Sequence, residues 1–299
     1  MSPIILALLP NGLLMCLGAL LRHRFSNEVW LSIDKLNFQL LFPVLIFYSA
    51  ASRKAQLDDV LIIGSGALSI TLLGCLLAMP LRKLQQGPKK FLDFAGIWQT
   101  TWRFNTAIGM IAIQALPEES RGLMSIAIGF AVPLANILAV LVLSHGQSMS
   151  FSRTVKSILL NPFLLASIGG LLASNIDIHL ILDNTLSSLA SAATPLALLS
   201  IGASVHLKVL MKINLFSFSI NSIKLALLPA ITLFSCKMLD MSNEQCVILT
   251  LFAALPTSSS AHLLAHAFGA DRHIVATVIA QSTLLACLSL PFWMGIIIP

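Results

Sequence analysis

The chain alternates between long apolar segments and short polar connections. Windows of about 19 apolar residues predict ten membrane-spanning helices. We number them spans 1 to 10, with approximate bounds 3–21, 36–51, 59–81, 91–115, 121–144, 156–174, 180–204, 213–236, 244–268 and 273–298. Charged residues are 10% of the chain, whereas a soluble domain carries about 25%. The sequence therefore predicts an all-α integral membrane protein.

Lys and Arg are concentrated in alternate connections between the predicted spans. If both termini lie outside, twelve of the 18 Lys and Arg residues fall in inside connections and four in outside connections. Basic residues favour the cytoplasmic side, so this count predicts a multi-pass protein of the cell inner membrane with both termini outside. Because the basic residues are scattered topology signals, the pI near 9.3 does not indicate a nucleic-acid partner. The lipid bilayer is the predicted surrounding partner.

Three features recur at a nearly constant offset along the chain. Gly18 and Gly169 differ by 151, Asn105 and Pro256 by 151, and Pro43 and Pro195 by 152. This offset suggests a duplicated five-helix unit, with a first repeat at 1–144, a short cytoplasmic linker at 145–155 and a second repeat at 156–299. Because each unit has an odd number of spans, the two copies must be inverted, which is the plan of many secondary transporters.

Span 9 contains a polar interruption near its centre, the sequence ALPTSSSAH ending at His262. Pro256 removes a backbone donor, and Thr257, Ser258, Ser259 and Ser260 follow it. Interrupted helices are tolerated at membrane depth where they are packed in protein or line a wet cavity. Broken helices build substrate sites in many transporters. The alternative is a kinked structural helix whose hydroxyls bond to its own carbonyls.

Span 4 contains a matching polar stretch. Arg103 lies near its middle and is followed by Asn105 and Thr106, while Gly109 would permit a non-helical backbone. If spans 4 and 9 both break and cross, their helix ends would present N–H groups suited to an anion, and Arg103 could contact a carboxylate. The alternative for Arg103 is a structural pairing with backbone carbonyls.

The candidate substrate-binding residues are therefore polar groups of spans 4, 5 and 9. They are Arg103, Asn105, Thr106, Asn136, Pro256, Thr257, Ser258, Ser259, Ser260 and His262. Asn136 could instead make an interhelical hydrogen bond. His262 could exchange a proton near neutral pH or act as a hydrogen-bonding group. Lys224, in span 8, is more readily explained by a structural role than by balancing substrate charge.

The acidic residues argue against some functions. All twelve Asp and Glu are expected in connections or at span ends, which disfavours a metal or organic cation as cargo. The five cysteines have no metal-type spacing, and the motifs of membrane enzymes are missing. We expect no catalytic residue, no disulfide, no metal site and no cofactor.

Three stretches of the chain together resemble the auxin efflux carrier family. They are Arg103-Phe-Asn-Thr, the sequence TPLALLSIG that ends at Gly202, and ALPTSSSA before Phe268-Gly-Ala-Asp271. That family includes plant PIN-type auxin exporters and bacterial carriers for malate or malonate. The likeness covers nearly the whole chain. It departs at span 4, where the family often has a proline and this chain has none.

The resemblance implies two inverted five-helix repeats. Spans 1, 2, 6 and 7 would form a scaffold domain that often carries a homodimer surface, and spans 3–5 and 8–10 would form a moving transport domain. Broken spans 4 and 9 would cross at the substrate site, placing Asn105, Pro256 and the hydroxyls after it against the cargo. The implied function is elevator-like transport of a small organic anion. One alternative is a sodium-coupled carrier related to bile-acid symporters. The other is a non-transporting membrane sensor or partner subunit that binds an organic anion.

Overall fold

The structure of the protein is a computed structural model that contains α-helices and no strands in the residues it describes. Those residues are 16–51, 57–113, 118–146, 162–173, 180–204, 213–258 and 260–298, with a few isolated positions between them. Span 1 is thus described only in its second half, and the predicted linker at 145–155 lies mostly outside these ranges.

The first half of the described chain contains the helical end of span 1, residues 16–21, and six further α-helices. They are α1 (Asn27–Leu36), α2 (Phe42–Ala51), α3 (Leu57–Ala78), α4 (Phe91–Trp98), α5 (Thr106–Ala112) and α6 (Glu118–Gly146). A π-helical turn joins α1 to α2, and 3-10 turns follow α3 and α4. Together α1 and α2 form span 2, while α4 and α5 together occupy span 4.

The second half contains seven more helices among the described residues. They are α7 (Pro162–Ala173), α8 (Leu180–Ser204), α9 (Leu215–Ser222), α10 (Leu228–Met238), α11 (Asn243–Ala254), α12 (Ser260–Ala267) and α13 (Arg272–Ile297). A second π-helical turn joins α9 to α10 within span 8. Span 9 is divided into α11 and α12.

Both π-helical turns have a cause in the sequence. The first covers Asn37–Leu41 and precedes Pro43, and the second covers Ile223–Leu227 and precedes Pro229. A proline has no N–H to donate to the carbonyl four residues earlier, and in both cases that carbonyl lies inside the π turn. The helix continues by changing its local hydrogen-bond pattern.

Five described helical segments are long and apolar enough to cross a membrane. They are Asn27–Tyr48, Val60–Lys83, Ile126–Gly146, Leu215–Met238 and Ile274–Ile297. The structure therefore supports a multi-pass all-α membrane protein, while the full set of ten spans and the inverted repeat remain predictions. Exposed leucines on several helices, such as Leu172, Leu180 and Leu288, each more than 70% accessible, fit contact with lipid.

The predicted start of span 2 is wrong by nine residues. The helix begins at Asn27 instead of residue 36, because its first turns are amphipathic and fall below the threshold of an apolar window. Its polar residues include Asp34 and Lys35, which we had placed in a connection. This correction brings a carboxylate into a membrane-spanning helix.

Small residues bring spans 1 and 7 close together. A Cβ atom added to Gly18 would lie 2.9 Å from the Cα of Leu199 in α8, so the two backbones are in direct contact. The equivalent glycine of the predicted second repeat, Gly169 in α7, faces the ring of Phe47 in α2 at an ordinary distance of 3.6 Å. The backbones of spans 1 and 7 therefore approach more closely at Gly18 than span 6 approaches span 2 at Gly169.

Candidate functional site

Span 4 is interrupted between α4 and α5. The chain passes from α4 into a 3-10 turn, Gln99–Thr101, and resumes helical geometry at Thr106. Threonine hydroxyls satisfy carbonyls at the end of α4, since Thr100 donates to Ile97 at 2.6 Å and Thr101 donates to Trp98 at 2.8 Å. The interruption predicted without a proline is therefore present, stabilised by hydroxyl groups.

Two tryptophans fasten this interruption to neighbouring helices. Trp98 donates from Nε1 to the carbonyl of Cys75 in α3 at 2.8 Å. Trp102 is almost fully buried and donates to the carbonyl of Ala135 in α6 at 3.2 Å. The non-helical segment from Trp102 to Asn105 is thus fixed by specific contacts on two sides.

Span 9 is interrupted at Pro256. The preceding residue, Leu255, has an extended backbone with ψ of 137°, as the steric demand of a following proline requires. The chain returns to a helix at Ser260. Between them, the N–H of Thr257 donates to the hydroxyl of Ser282 in α13 at 3.2 Å, so a neighbouring side chain satisfies a buried backbone donor that lies outside any helix.

The two interruptions touch each other through their backbones. The N–H of Asn105 donates to the carbonyl of Pro256 at 2.8 Å, and the rings of Phe104 and Phe252 lie 4.5 Å apart. Gly109 has a different role from the one we predicted. It lies inside α5, and a Cβ there would come within 2.9 Å of Cδ1 of Leu255, so this glycine packs closely against the Leu255 side chain.

A small cavity lies beside the crossing point. It offers about 30 Å³ to the centres of water molecules, which is room for about two waters. Groups from α2, the span 4 interruption, α6 and the span 9 interruption surround it. The lining residues are Phe42, Ile46, Arg103, Phe104, Asn105, Thr106, Val132, Ala135, Asn136 and Ser258.

The polar groups of this cavity are ordered by contacts with one another. Arg103 is 4% exposed and donates from Nη1 to Oδ1 of Asn136 in α6 at 2.9 Å. Oδ1 of Asn105 accepts from the N–H of Ile108 at 3.1 Å, which caps α5 and leaves the amide group to donate toward the cavity. The two roles considered for Asn136 are combined, because it lines the cavity and also bonds another helix.

The predicted site residues are not all in one place. Arg103, Asn105, Thr106, Asn136 and Ser258 line the cavity. Thr257 is buried next to this group but is not part of the lining, while Pro256 contributes its carbonyl to the crossing. Ser259 and the side chain of Ser260 lie outside the described residues.

His262 lies away from the cavity lining and faces Asp34. Its Nε2 atom is 3.9 Å from Oδ2 of Asp34, and both side chains are 22% exposed. The hydroxyl of Ser200 in α8 donates to the other carboxylate oxygen of Asp34. Our expectation that every carboxylate lies in a connection or at a span end is wrong for Asp34.

The structure also identifies groups that the sequence did not reveal. Phe42 and Ile46 supply the apolar wall of the cavity, and apolar residues in an apolar helix carry no signal of such a role. Gln99 is fully buried and donates to the carbonyl of Ala261 at 3.2 Å, linking the two interrupted spans. Lys224, for which we predicted a structural role, is buried with Nζ at 3.5 Å from the carbonyl of Ala253, at the end of α11 and outside the cavity lining.

Comparison with known proteins identifies a family. A family model described as a membrane transport protein matches residues 144–294, just over half of the chain. No curated protein matches the chain significantly. The matched region includes the interruption in span 9, most of its partner helix α13, and both Ser200 and His262.

Proposed function

This chain belongs to the membrane transport protein family, and from that premise we propose that it is a secondary transporter of a small organic anion. The cargo class is a mono- or dicarboxylate such as malate or malonate. The single observation that carries the proposal is the cavity where the two interrupted spans cross. A transporter of this kind binds its substrate at discontinuous helices near the membrane midplane.

The charge and hydrogen-bonding groups of the cavity support an anion. Arg103 places a guanidinium in the lining, and its planar donors match the geometry of a carboxylate. Asn105 and Asn136 add amide groups, and Ser258 adds a hydroxyl. A ligand carboxylate there would replace water with charge-assisted hydrogen bonds, which are stronger than neutral ones.

The walls of the cavity come from two parts of the protein that we propose move relative to each other. Phe42 and Ile46 belong to span 2, which the family resemblance assigns to the scaffold, and the polar lining belongs to spans assigned to the transport domain. The cavity is too small for a dicarboxylate in the present arrangement. Separation of these walls would admit the ligand, as elevator-like alternating access requires.

The proposed setting is the cell inner membrane, with both termini outside and a homodimer formed through the scaffold spans. We propose two five-helix repeats, 1–144 and 156–299. The Lys and Arg distribution supports the orientation, and the contact between the two interruptions fits the duplicated arrangement.

Purified protein should be tested for thermal stabilisation by malate, malonate, succinate, lactate and indole-3-acetate, with and without Na⁺. A ligand that binds the folded state raises the melting temperature. The same compounds should then be tested for flux in proteoliposomes. Stabilisation with flux supports the proposal, and flux that requires Na⁺ would favour a sodium-coupled carrier. Stabilisation without flux would favour a sensor and contradict a transporter.

A further inference from the structure

We infer that Asp34 and His262 form a proton-binding site that links proton binding to the relative position of the scaffold and transport parts. This inference rests on the proposed function and deepens it by naming the coupled ion. Asp34 lies in α1 of span 2, and His262 lies in α12 of span 9. In the proposed elevator, one of these elements moves against the other.

The distance between the two groups fits a contact that depends on protonation. At 3.9 Å, a neutral imidazole has little attraction for the carboxylate, whereas an imidazolium forms an ion pair. Histidine is the side chain that changes charge near neutral pH. Proton binding at the imidazole therefore favours the arrangement in which α1 and α12 are together.

Ser200 acts as a positioning residue for this site. Its hydroxyl donates to one oxygen of Asp34 and leaves the other facing His262. Ser200 belongs to α8 of span 7, which is also assigned to the scaffold. The carboxylate is thus held on the static side, and the titrating group is on the moving side.

The other charged groups described on the surrounding helices bond to a different partner, are exposed, or lie far along the helix from Ser200. Asp93 in α4 accepts from the N–H of Asp271 at 2.8 Å, and Glu28 and Lys35 in α1 are exposed. Asp183 is at the other end of α8, about 25 Å from Ser200 at 1.5 Å per residue. The side chains of His266, Arg272 and His273 lie outside the described residues.

The two parts can be observed directly with a pair of spin labels. Leu31 in α1 and Lys83 after α3 are exposed and lie in the proposed scaffold and transport parts. We would replace both with labelled cysteines in a cysteine-free background and measure distances between pH 5.5 and 8. We expect the distances to fall into two populations, one with α1 and α12 together and one with them apart. The ratio of these populations should change by about two- to fivefold across this pH range, the range for a partly exposed ion pair.

Two variants each remove one partner of the Asp34–His262 pair. Asp34→Asn and His262→Gln should each abolish the pH response, and Ser200→Ala should weaken it. Glu28→Gln and His23→Gln change exposed residues of the same types and should preserve it. A pH response that persists in both Asp34→Asn and His262→Gln, or no response in the wild type, overturns the proton site.

Flux measurements separate this inference from the proposed function. Wild-type proteoliposomes should transport the anion faster under an inward proton gradient, and Asp34→Asn should lose that stimulation while retaining anion exchange. If no anion is transported but the labels respond to pH through Asp34 and His262, the transport proposal fails and the proton site stands. Transport that is indifferent to the proton gradient contradicts proton coupling.

Discussion

The backbone N–H of Asn105 donates to the carbonyl of Pro256 at 2.8 Å, which joins the interruptions of two spans from different halves of the chain. A backbone hydrogen bond within a low-dielectric interior is costly to leave unmade. The crossing is therefore a fixed structural element, and the side chains of Asn105 and Ser258 extend from it toward the cavity.

Asn105→Ala should reduce carboxylate affinity and flux by about tenfold or more, because a hydrogen bond to a charged ligand contributes about 1.5–3 kcal/mol. The backbone bond to Pro256 does not require the side chain, so the fold should be retained, with a loss of about 1 kcal/mol because the side chain also caps α5. Asn184→Ala alters an exposed asparagine in α8 and is the control. Binding by calorimetry and flux in proteoliposomes would check this, and normal flux in Asn105→Ala would reject the site.

Pro256→Ala should also cut flux while leaving expression nearly intact. Alanine restores a backbone N–H and relieves the constraint that holds Leu255 extended, so α11 can continue past its present end and displace the crossing carbonyl. Initial transport rates and the melting temperature of the same preparation measure the two effects. A variant with wild-type rates would show that the interruption does not position the cargo.

Arg103→Ala should weaken dicarboxylates more than monocarboxylates if the guanidinium contacts the second charge. Arg103→Lys should restore only part of the loss, because an ammonium cannot reproduce the planar contact with Asn136. Arg24→Ala removes an exposed arginine and serves as the control. Competition binding with malonate and lactate gives the comparison, and equal losses for both would return Arg103 to a structural role.

Gly18→Ala should destabilise the protein strongly, since the added Cβ would meet the backbone of Leu199, which cannot rotate away. Gly169→Ala is the matched control and should be tolerated, because its Cβ would be in ordinary contact with Phe47. Melting temperatures in detergent would separate the two. Equal melting temperatures for both variants would contradict the close approach of spans 1 and 7.

Trp102→Phe should lower stability by about 1 kcal/mol and weaken ligand binding, because the carbonyl of Ala135 loses its donor next to the cavity. The matched variant is Trp30→Phe, since Nε1 of Trp30 makes no hydrogen bond with the described residues. Unfolding curves and ligand titrations for both variants provide the measurement. A larger loss from Trp30→Phe would argue against the anchoring role of Trp102.

The site residues whose polarity or backbone chemistry is unusual for an apolar helix could be predicted from the sequence. Asn105 and Pro256 stand out because a polar amide and a proline are expensive in an apolar helix, so their pattern indicates an interruption. The sequence also indicated that Arg103 and Asn136 lie near the same site. The membrane class followed from the low fraction of charged residues.

Other features depend on tertiary packing and left no local pattern. Asp34 lies on an amphipathic turn beside Lys35, which in one dimension is indistinguishable from a polar connection. Phe42 and Ile46 are apolar residues in an apolar helix, so their place in the cavity depends on which helix faces it. Gly109 was misread because a glycine packed inside a helix looks, in the sequence, the same as one that permits a turn.

The bond between Asn105 and Pro256 uses only main-chain atoms on both sides. The crossing can therefore survive replacement of the Asn105 side chain, and the proposed cargo-binding groups can change without dismantling the fold. Such a scaffold can acquire a new selectivity by a few substitutions, so relatives with the same crossing need not share a cargo. Specificity can then diverge because main-chain atoms hold the crossing together while side chains select the cargo.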